Sequence, residues 1–96
     1  MSAYIISRVS IEDSKSMKSY MLAAPDSVEE FGGEYLVRTG EIEVLEGNAD
    51  YDRIVVLKFP DKTQALAWYN SDSYRDLRDQ RWKSATAHIV VVPGEK

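Results

Sequence analysis

The stretch GGEYLVRTGEIEVLEGNADYDRIVVLKFP, Gly32 to Pro60, alternates apolar and polar residues in two separate runs. Period-two alternation marks a strand that buries one face. Glu34–Gly40 therefore reads as one strand and Asp52–Pro60 as another, the second being the more apolar. Between them Glu41–Asp50 alternates as far as Leu45 and then turns on Gly47-Asn48, which reads as a strand extension or an edge ribbon. Arg38 and Lys58 fall where a half-buried strand ordinarily shows apolar groups, so the use of those cations becomes the question the chain poses.

Working outward, AYIISRVS (Ala3–Ser10) is β-branched, alternating and free of breakers, and reads as a strand. Asp13 then stands at a helix N-cap, ahead of an apolar face made by Met17, Tyr20, Met21, Ala24, Val28 and Phe31. Pro25 falls inside that pattern and predicts a kink or a break into two helical pieces. Gly32-Gly33 ends the helix. After Pro60, Asp61 and Gln64 have capping-box spacing and open a helix carrying Ala65, Leu66, Trp68 and Tyr69. Ser71 or Asp72 restarts it, with Tyr74, Leu77, Arg78, Arg81 and Trp82 on the next face. Thr86–Val92 is the last strand, and Pro93–Lys96 reads as a tail. The order is βαββαβ, which predicts an α+β, ferredoxin-like sandwich: an antiparallel sheet with its helices on one face.

The 96 residues make one domain, 1–96, with a thin stability margin that oligomerisation would improve. A formal charge of −4 argues against a nucleic-acid partner, which calls for a basic footprint. There is no cysteine, which excludes disulfides and thiolate chemistry. No run approaches the roughly 18 apolar residues of a membrane span, and no signal peptide is evident, so no membrane partner and a cytoplasmic location are expected.

Sorting the strands by parity separates two faces. Ile5, Ser7 and Val9, with Tyr35 and Val37, form one side together with Val55, Leu57 and Phe59, and with Ala87, Ile89 and Val91. That side is nearly all apolar and is expected under the helices. The opposite side holds Tyr4, Ile6 and Arg8, then Leu36 and Arg38, then Ile54, Val56 and Lys58, then His88, Val90 and Val92. It too is mainly apolar, where a sheet face meeting water would be mainly polar. A second copy packed on that face would bury it, which predicts a two-fold homodimer, a barrel of two sheets. Two readings of Arg8, Arg38 and Lys58 stand side by side. In one they reach solvent or pair with Glu34, Glu41, Glu43 or Glu46. In the other they line a pocket for an anion, a carboxylate or an enolate.

Motif tests narrow the chemistry. His88 is the only histidine, with no metal-ligand spacing around it and no nucleophilic serine to serve, so no metal site is expected. There is no phosphate loop or dinucleotide fingerprint. Glu41 and Glu43 alternate with Ile42 and Val44 as on a solvated strand, whereas Glu46, before Gly47, can fold back over a pocket. Trp68, Tyr69 and Tyr74 suit either stacking on a planar ligand or the core.

The runs GGEYLVRTGEIEVLEG and VVLKFPDKTQALAWYNSDSY, with Arg81 beyond them, resemble the small bacterial domain-of-unknown-function family 1330, over nearly the whole chain. Asp13, Tyr20, Gly32, Gly33, Arg38, Gly40, Trp68, Tyr74 and Arg81 are among the matching positions. Asp72-Ser73 stands where that family often has proline and glutamate, a change expected at a helix start. The resemblance implies a ferredoxin-like fold of the dimeric α/β-barrel superfamily and supplies no reaction. Cofactor-free monooxygenases, muconolactone isomerases and haem-binding enzymes share that superfamily.

Two functions follow. The first is a small-molecule binder or cofactor-free enzyme, its pocket lying between sheet and helices or at the dimer seam. There Arg38 anchors an anionic group, Arg8 or Arg81 assists, Trp68 and Tyr69 contact the ligand, and Glu46 or His88 moves a proton. No cofactor is expected. The second is a non-catalytic dimeric module with a closed, dry seam and every basic group paired. Haem held by His88 is a third reading, for which a strand histidine is poorly aimed.

Overall fold

The computed structural model describes residues 1–95. Strand β1 (Ala3–Ile11) runs into helix α1 (Ser14–Glu30), then strands β2 (Glu34–Thr39) and β3 (Arg53–Phe59). Helices α2 (Lys62–Tyr69) and α3 (Asp72–Ser84) follow, and β4 (Ala85–Pro93) closes the sheet. The sheet order is β2-β3-β1-β4 with every pairing antiparallel. This is the ferredoxin-like arrangement expected from the alternation, with the second helical segment divided in two. No helix among the described residues is long and apolar enough to cross a membrane.

The helix starts lie where the capping residues place them. The Asp13 carboxylate accepts from the Ser16 backbone N–H at 3.2 Å, and Asp61 accepts from that of Gln64 at 2.8 Å. Ser71, rather than Asp72, caps α3 by accepting from the Tyr74 N–H at 3.2 Å. Nearby, the Ser73 hydroxyl donates to Glu30 at 2.6 Å, tying α3 to the end of α1. Gly32 ends α1 at φ +78°, a left-handed conformation suited to glycine. Gly33 serves a different purpose, since a Cβ there would stand 2.7 Å from both Phe59 and Val28.

Three expectations are corrected. α1 runs through Pro25 as one helix rather than two pieces. Proline lacks the N–H that would reach the Met21 carbonyl, but α1 is tied to α3 on both sides of that gap, through Tyr20–Tyr74 before it and Glu30–Ser73 after it. Glu41–Asp50 is not a strand. Its returning end is fastened to β1 instead: Asp52 N–H donates to the Val9 carbonyl at 2.7 Å, and the Asp52 carboxylate accepts from Ile11 N–H at 2.8 Å. Finally, the end of the chain is not a free tail. Pro93 belongs to β4, and Gly94 N–H donates to the Ser2 carbonyl at 2.7 Å; Lys96 lies outside the described residues.

The core lies between the helices and one face of the sheet. Ile5, Leu57 and Phe59 meet Val28, Ala65, Trp68 and Tyr74. Trp68 stacks on Tyr74 with centroids 4.1 Å apart, and its indole N–H donates to the buried Ser27 hydroxyl at 3.1 Å. Ser27 in turn donates to the Ala24 carbonyl at 2.7 Å, so the polar end of the indole is satisfied inside the core. The other sheet face has no helix over it. Leu36 and Val90 are 50% and 53% exposed there, beside half-buried Ile6, Ile54 and Val56.

A pocket of arginines and tyrosines under the helices

Between sheet and helices, beside the core, the packing leaves a pocket. It has about 50 Å³ of room for the centres of water-sized molecules, and about 600 Å³ of empty space once the open solvent at its mouth is included. One buried water needs roughly 10–15 Å³ by the first measure, so the pocket has room for several. Ile5, Ser7 and Val9 form the floor, Val55, Leu57 and Ile89 continue it, and Met17, Met21 and Trp68 close the sides. Into this apolar space come three arginines, Arg38, Arg53 and Arg81, and no carboxylate.

Arg38 reaches the pocket through a bulge. Tyr35 pairs with Leu57, but Val37 pairs with Val56 and Arg38 with Val55, leaving Leu36 as an extra residue in β2. One extra residue reverses the facing of everything beyond it. Parity placed Val37 under the helices and Arg38 on the bare face; the bulge exchanges them. Arg38 then lies over the Tyr35 ring, 4.5 Å from its centroid. Arg53 starts β3 two residues before Val55 and shares its face.

Arg81 forms the inner end of the pocket and is only 3% exposed. Its Nε donates to the Tyr74 hydroxyl at 3.3 Å, and the Tyr74 and Tyr20 hydroxyls are 2.6 Å apart. Arg81 Nη2 is buried and has no partner. The one ion pair among the described residues is Arg75–Asp72, on the surface of α3. Arg38, Arg53 and Arg81 thus form no ion pair, nor does Arg8 or Lys58, although Glu34 stands across the ladder from Lys58. The expected pairings with Glu34, Glu41, Glu43 and Glu46 do not form.

Burial raises the Tyr20 pKa well above its ordinary value, with the neighbouring Tyr74 adding to the rise and Arg81 opposing it. Tyr35 is raised by burial and partly offset by Arg38. Burial alone works against the Arg81 charge, yet the oxygens of Tyr74 and Tyr20 outweigh it and leave its pKa raised. The inner end therefore sets the Arg81 guanidinium beside the Tyr74 and Tyr20 hydroxyls.

The other expected site residues lie elsewhere. Arg8 and His88 are cross-strand neighbours on the bare face, both exposed, with Arg8 5.7 Å from the Tyr51 ring centroid. Glu46 is exposed in the loop between β2 and β3. Tyr69 does not line the pocket; Arg78 covers its ring at 5.3 Å and also lies 4.8 Å from that of Trp82. Trp68 both lines the pocket and belongs to the core. Arg53, Tyr20 and Tyr35 were not among the expected site residues, whereas Tyr74, read as a stacking or core aromatic, lines the pocket and belongs to the core. Arg53 was legible from its parity with Val55 and Leu57. A tyrosine in a buried helical stripe likewise signals a hydroxyl that needs a partner.

Several solved structures share this architecture. A dimeric ferredoxin-like protein of unknown function from a Jannaschia species superposes with a TM-score of 0.81 at 13% identity, covering 98% of this chain and all of that one (100%). A protein of unknown function from Rhodopseudomonas palustris gives 0.80 at 14% identity, over 99% and 83% of the two chains. SnoaB, a cofactor-independent oxygenase from Streptomyces nogalater, gives 0.68 at 10% identity, over 99% and 94%. At such identities the likeness is one of fold. No curated protein sequence matches the chain. The sequence matches the domain of unknown function DUF1330 over residues 2–95, and the chain belongs to that family.

Proposed function

We propose that this protein binds a small anionic molecule in the pocket between its helices and its sheet, as a homodimer in which a second copy covers the bare sheet face. The observation carrying the reading is the charge imbalance of the pocket. Arg38, Arg53 and Arg81 line it without a carboxylate, and one of them is almost wholly buried. A buried ion costs several kcal/mol to desolvate unless a counter-charge and hydrogen bonds offset it. A ligand carboxylate, phenolate or enolate is the complement that the chain itself does not supply.

A closed, non-catalytic module would have its basic groups paired, and the three unpaired guanidiniums speak against it. If the protein is an enzyme, its pocket offers tyrosines and arginines and no histidine or carboxylate. Those groups stabilise a developing anion rather than remove a proton from carbon. The shared fold with a cofactor-independent oxygenase is compatible with such chemistry. The test is a thermal-shift screen of aromatic carboxylates and phenols on wild type and on Arg38→Gln and Arg53→Gln. Wild type is expected to be stabilised by at least one probe, and each variant to lose about tenfold or more in apparent affinity, the worth of one charge-assisted hydrogen bond. Equal stabilisation of all three proteins, or of none, would refute the reading.

A further inference from the structure

The inner end of the pocket has more hydrogen-bond donors than acceptors to receive them. Tyr20 and Tyr74 carry one O–H hydrogen each, and the 2.6 Å contact between their oxygens uses one of the two. Arg81 Nε uses the Tyr74 oxygen as its acceptor. Whichever tyrosine donates to the other, one phenolic hydrogen is left over, and so are the hydrogens of the buried Arg81 Nη2. A tyrosine–tyrosine pair could have been closed off by a backbone carbonyl or a carboxylate, and neither hydroxyl has such a partner among the described residues.

The walls around these groups come from different elements and are apolar. Tyr20 is on α1, Tyr74 and Arg81 on α3, and Met17, Val55 and Ile89 line the pocket with them. The second basic pole, Arg38 and Arg53, belongs to β2 and β3, where β2 runs out into the loop and β3 returns from it. The pocket therefore has two polar poles of different character. The outer one has two guanidiniums and partial exposure to water; the inner one has a buried guanidinium beside two phenolic hydroxyls.

We infer that the inner pole is an oxyanion site, in which Arg81 and the Tyr20–Tyr74 pair receive the ionised oxygen of a phenol or enol. The proposal rests on the anion-binding reading and narrows its ligand. The favoured ligand has a compact, flat apolar body with an acidic phenol or enol oxygen at its inner end. A carboxylate or similar group at its outer end meets Arg38 and Arg53. A hydroxylated aromatic acid or an enolised keto acid fits both poles. A simple carboxylate satisfies only one, and a neutral arene satisfies neither. Bound in this way, the ligand's hydroxyl gives up its proton to solvent and its oxygen accepts hydrogen bonds from the site; no bond to carbon is made or broken.

The experiment uses 4-nitrophenol, whose phenolate absorbs in the visible while the neutral form does not, with benzoate as a probe of the outer pole. Mixed with the full-length protein and titrated with acid, the bound probe is expected to stay ionised at least about one pH unit below the free probe, a tenfold preference for the anion. Tyr20→Phe and Tyr74→Phe should each shrink that displacement while leaving benzoate affinity within about twofold. Arg38→Gln should weaken benzoate binding. If 4-nitrophenol binds in its neutral form, or does not bind while benzoate still depends on Arg38, the oxyanion site is overturned and the anion pocket stands. If neither probe binds, both readings fall. An undiminished displacement in both tyrosine variants would also overturn the proposal. Should those variants not fold, the displacement in Arg38→Gln decides: an inner oxyanion site keeps it, and its loss there would overturn the proposal.

Discussion

At the scale of single residues, the pocket is governed by what burial does to Tyr20 and Arg81. Tyr20 has a raised pKa in the folded chain, so the folded state holds its proton more tightly than the unfolded state does. The associated stability is fully present below the unfolded value of about 10 and is lost as pH rises through the folded value. Urea midpoints should therefore fall steeply above pH ~10 for wild type and less steeply for Tyr20→Phe; parallel curves would show that the Tyr20 hydroxyl is not desolvated. Trp68 gives a second residue-scale prediction. Its ring is 3% exposed, against Phe59 and Tyr74, with its N–H bonded to Ser27. Trp68→Phe removes the N–H and leaves the Ser27 oxygen short of a donor, so a loss of about 1–3 kcal/mol in chemical denaturation is expected. A neutral result would mean that Ser27 is satisfied by other means.

At the scale of elements, the bulge in β2 decides which side of the sheet Arg38 serves. Alternation made the strands and their pairing legible, and the capping residues Asp13, Asp61 and Ser71 made the helix starts legible. Leu36 was not recognisable as an extra residue, because a bulge at a β-branched and aliphatic run leaves no compositional mark and shows only in the hydrogen-bond register. Arg81 was legible as a member of the Tyr74 face, since seven residues are close to two turns of helix. Its lack of a partner was not legible, because absence of an acid depends on what three other elements bring nearby. Deleting Leu36 tests the register directly. It makes the ladder regular and keeps Tyr35, Arg38 and Val55 on the pocket side, so Arg38-dependent benzoate binding should survive within about twofold of wild type. Loss of that binding, or a large gain, would show that Arg38 faces the other way in the native strand. Gly33→Ala acts on the α1–β2 junction, where its Cβ would press on Phe59 and Val28 at 2.7 Å. A loss of about 1–3 kcal/mol is expected from overpacking, and an unchanged urea midpoint would show that the junction yields freely.

At the scale of the whole molecule, the helices cover one side of the sheet and leave the other to be covered by something else. Ile54, Val56 and Val90 lie on that bare side together with Arg8 and His88, as parity indicated, and the bulge adds Val37 to it in exchange for Arg38. The exchange makes the bare face more apolar and the pocket more basic, which separates the surface that a second copy would bury from the site that a ligand would occupy. A homodimer at this face should sediment well above the 10.9 kDa of one chain, and Val56→Lys should reduce it to that mass without abolishing benzoate binding in the pocket. Sedimentation of wild type as a monomer at micromolar concentration would leave the face uncovered and refute the dimer. The claim on which the functional account turns is narrower: the guanidiniums under the helices, and not those on the surface, meet an anion. Side-chain Nε–H correlation spectra of the ¹⁵N-labelled protein, recorded as benzoate is added, test it most directly. The Arg38 and Arg53 resonances should move with one common saturation curve while those of Arg8 and Arg75 stay fixed; movement of Arg8 or Arg75 alone, or of no arginine at all, would contradict it.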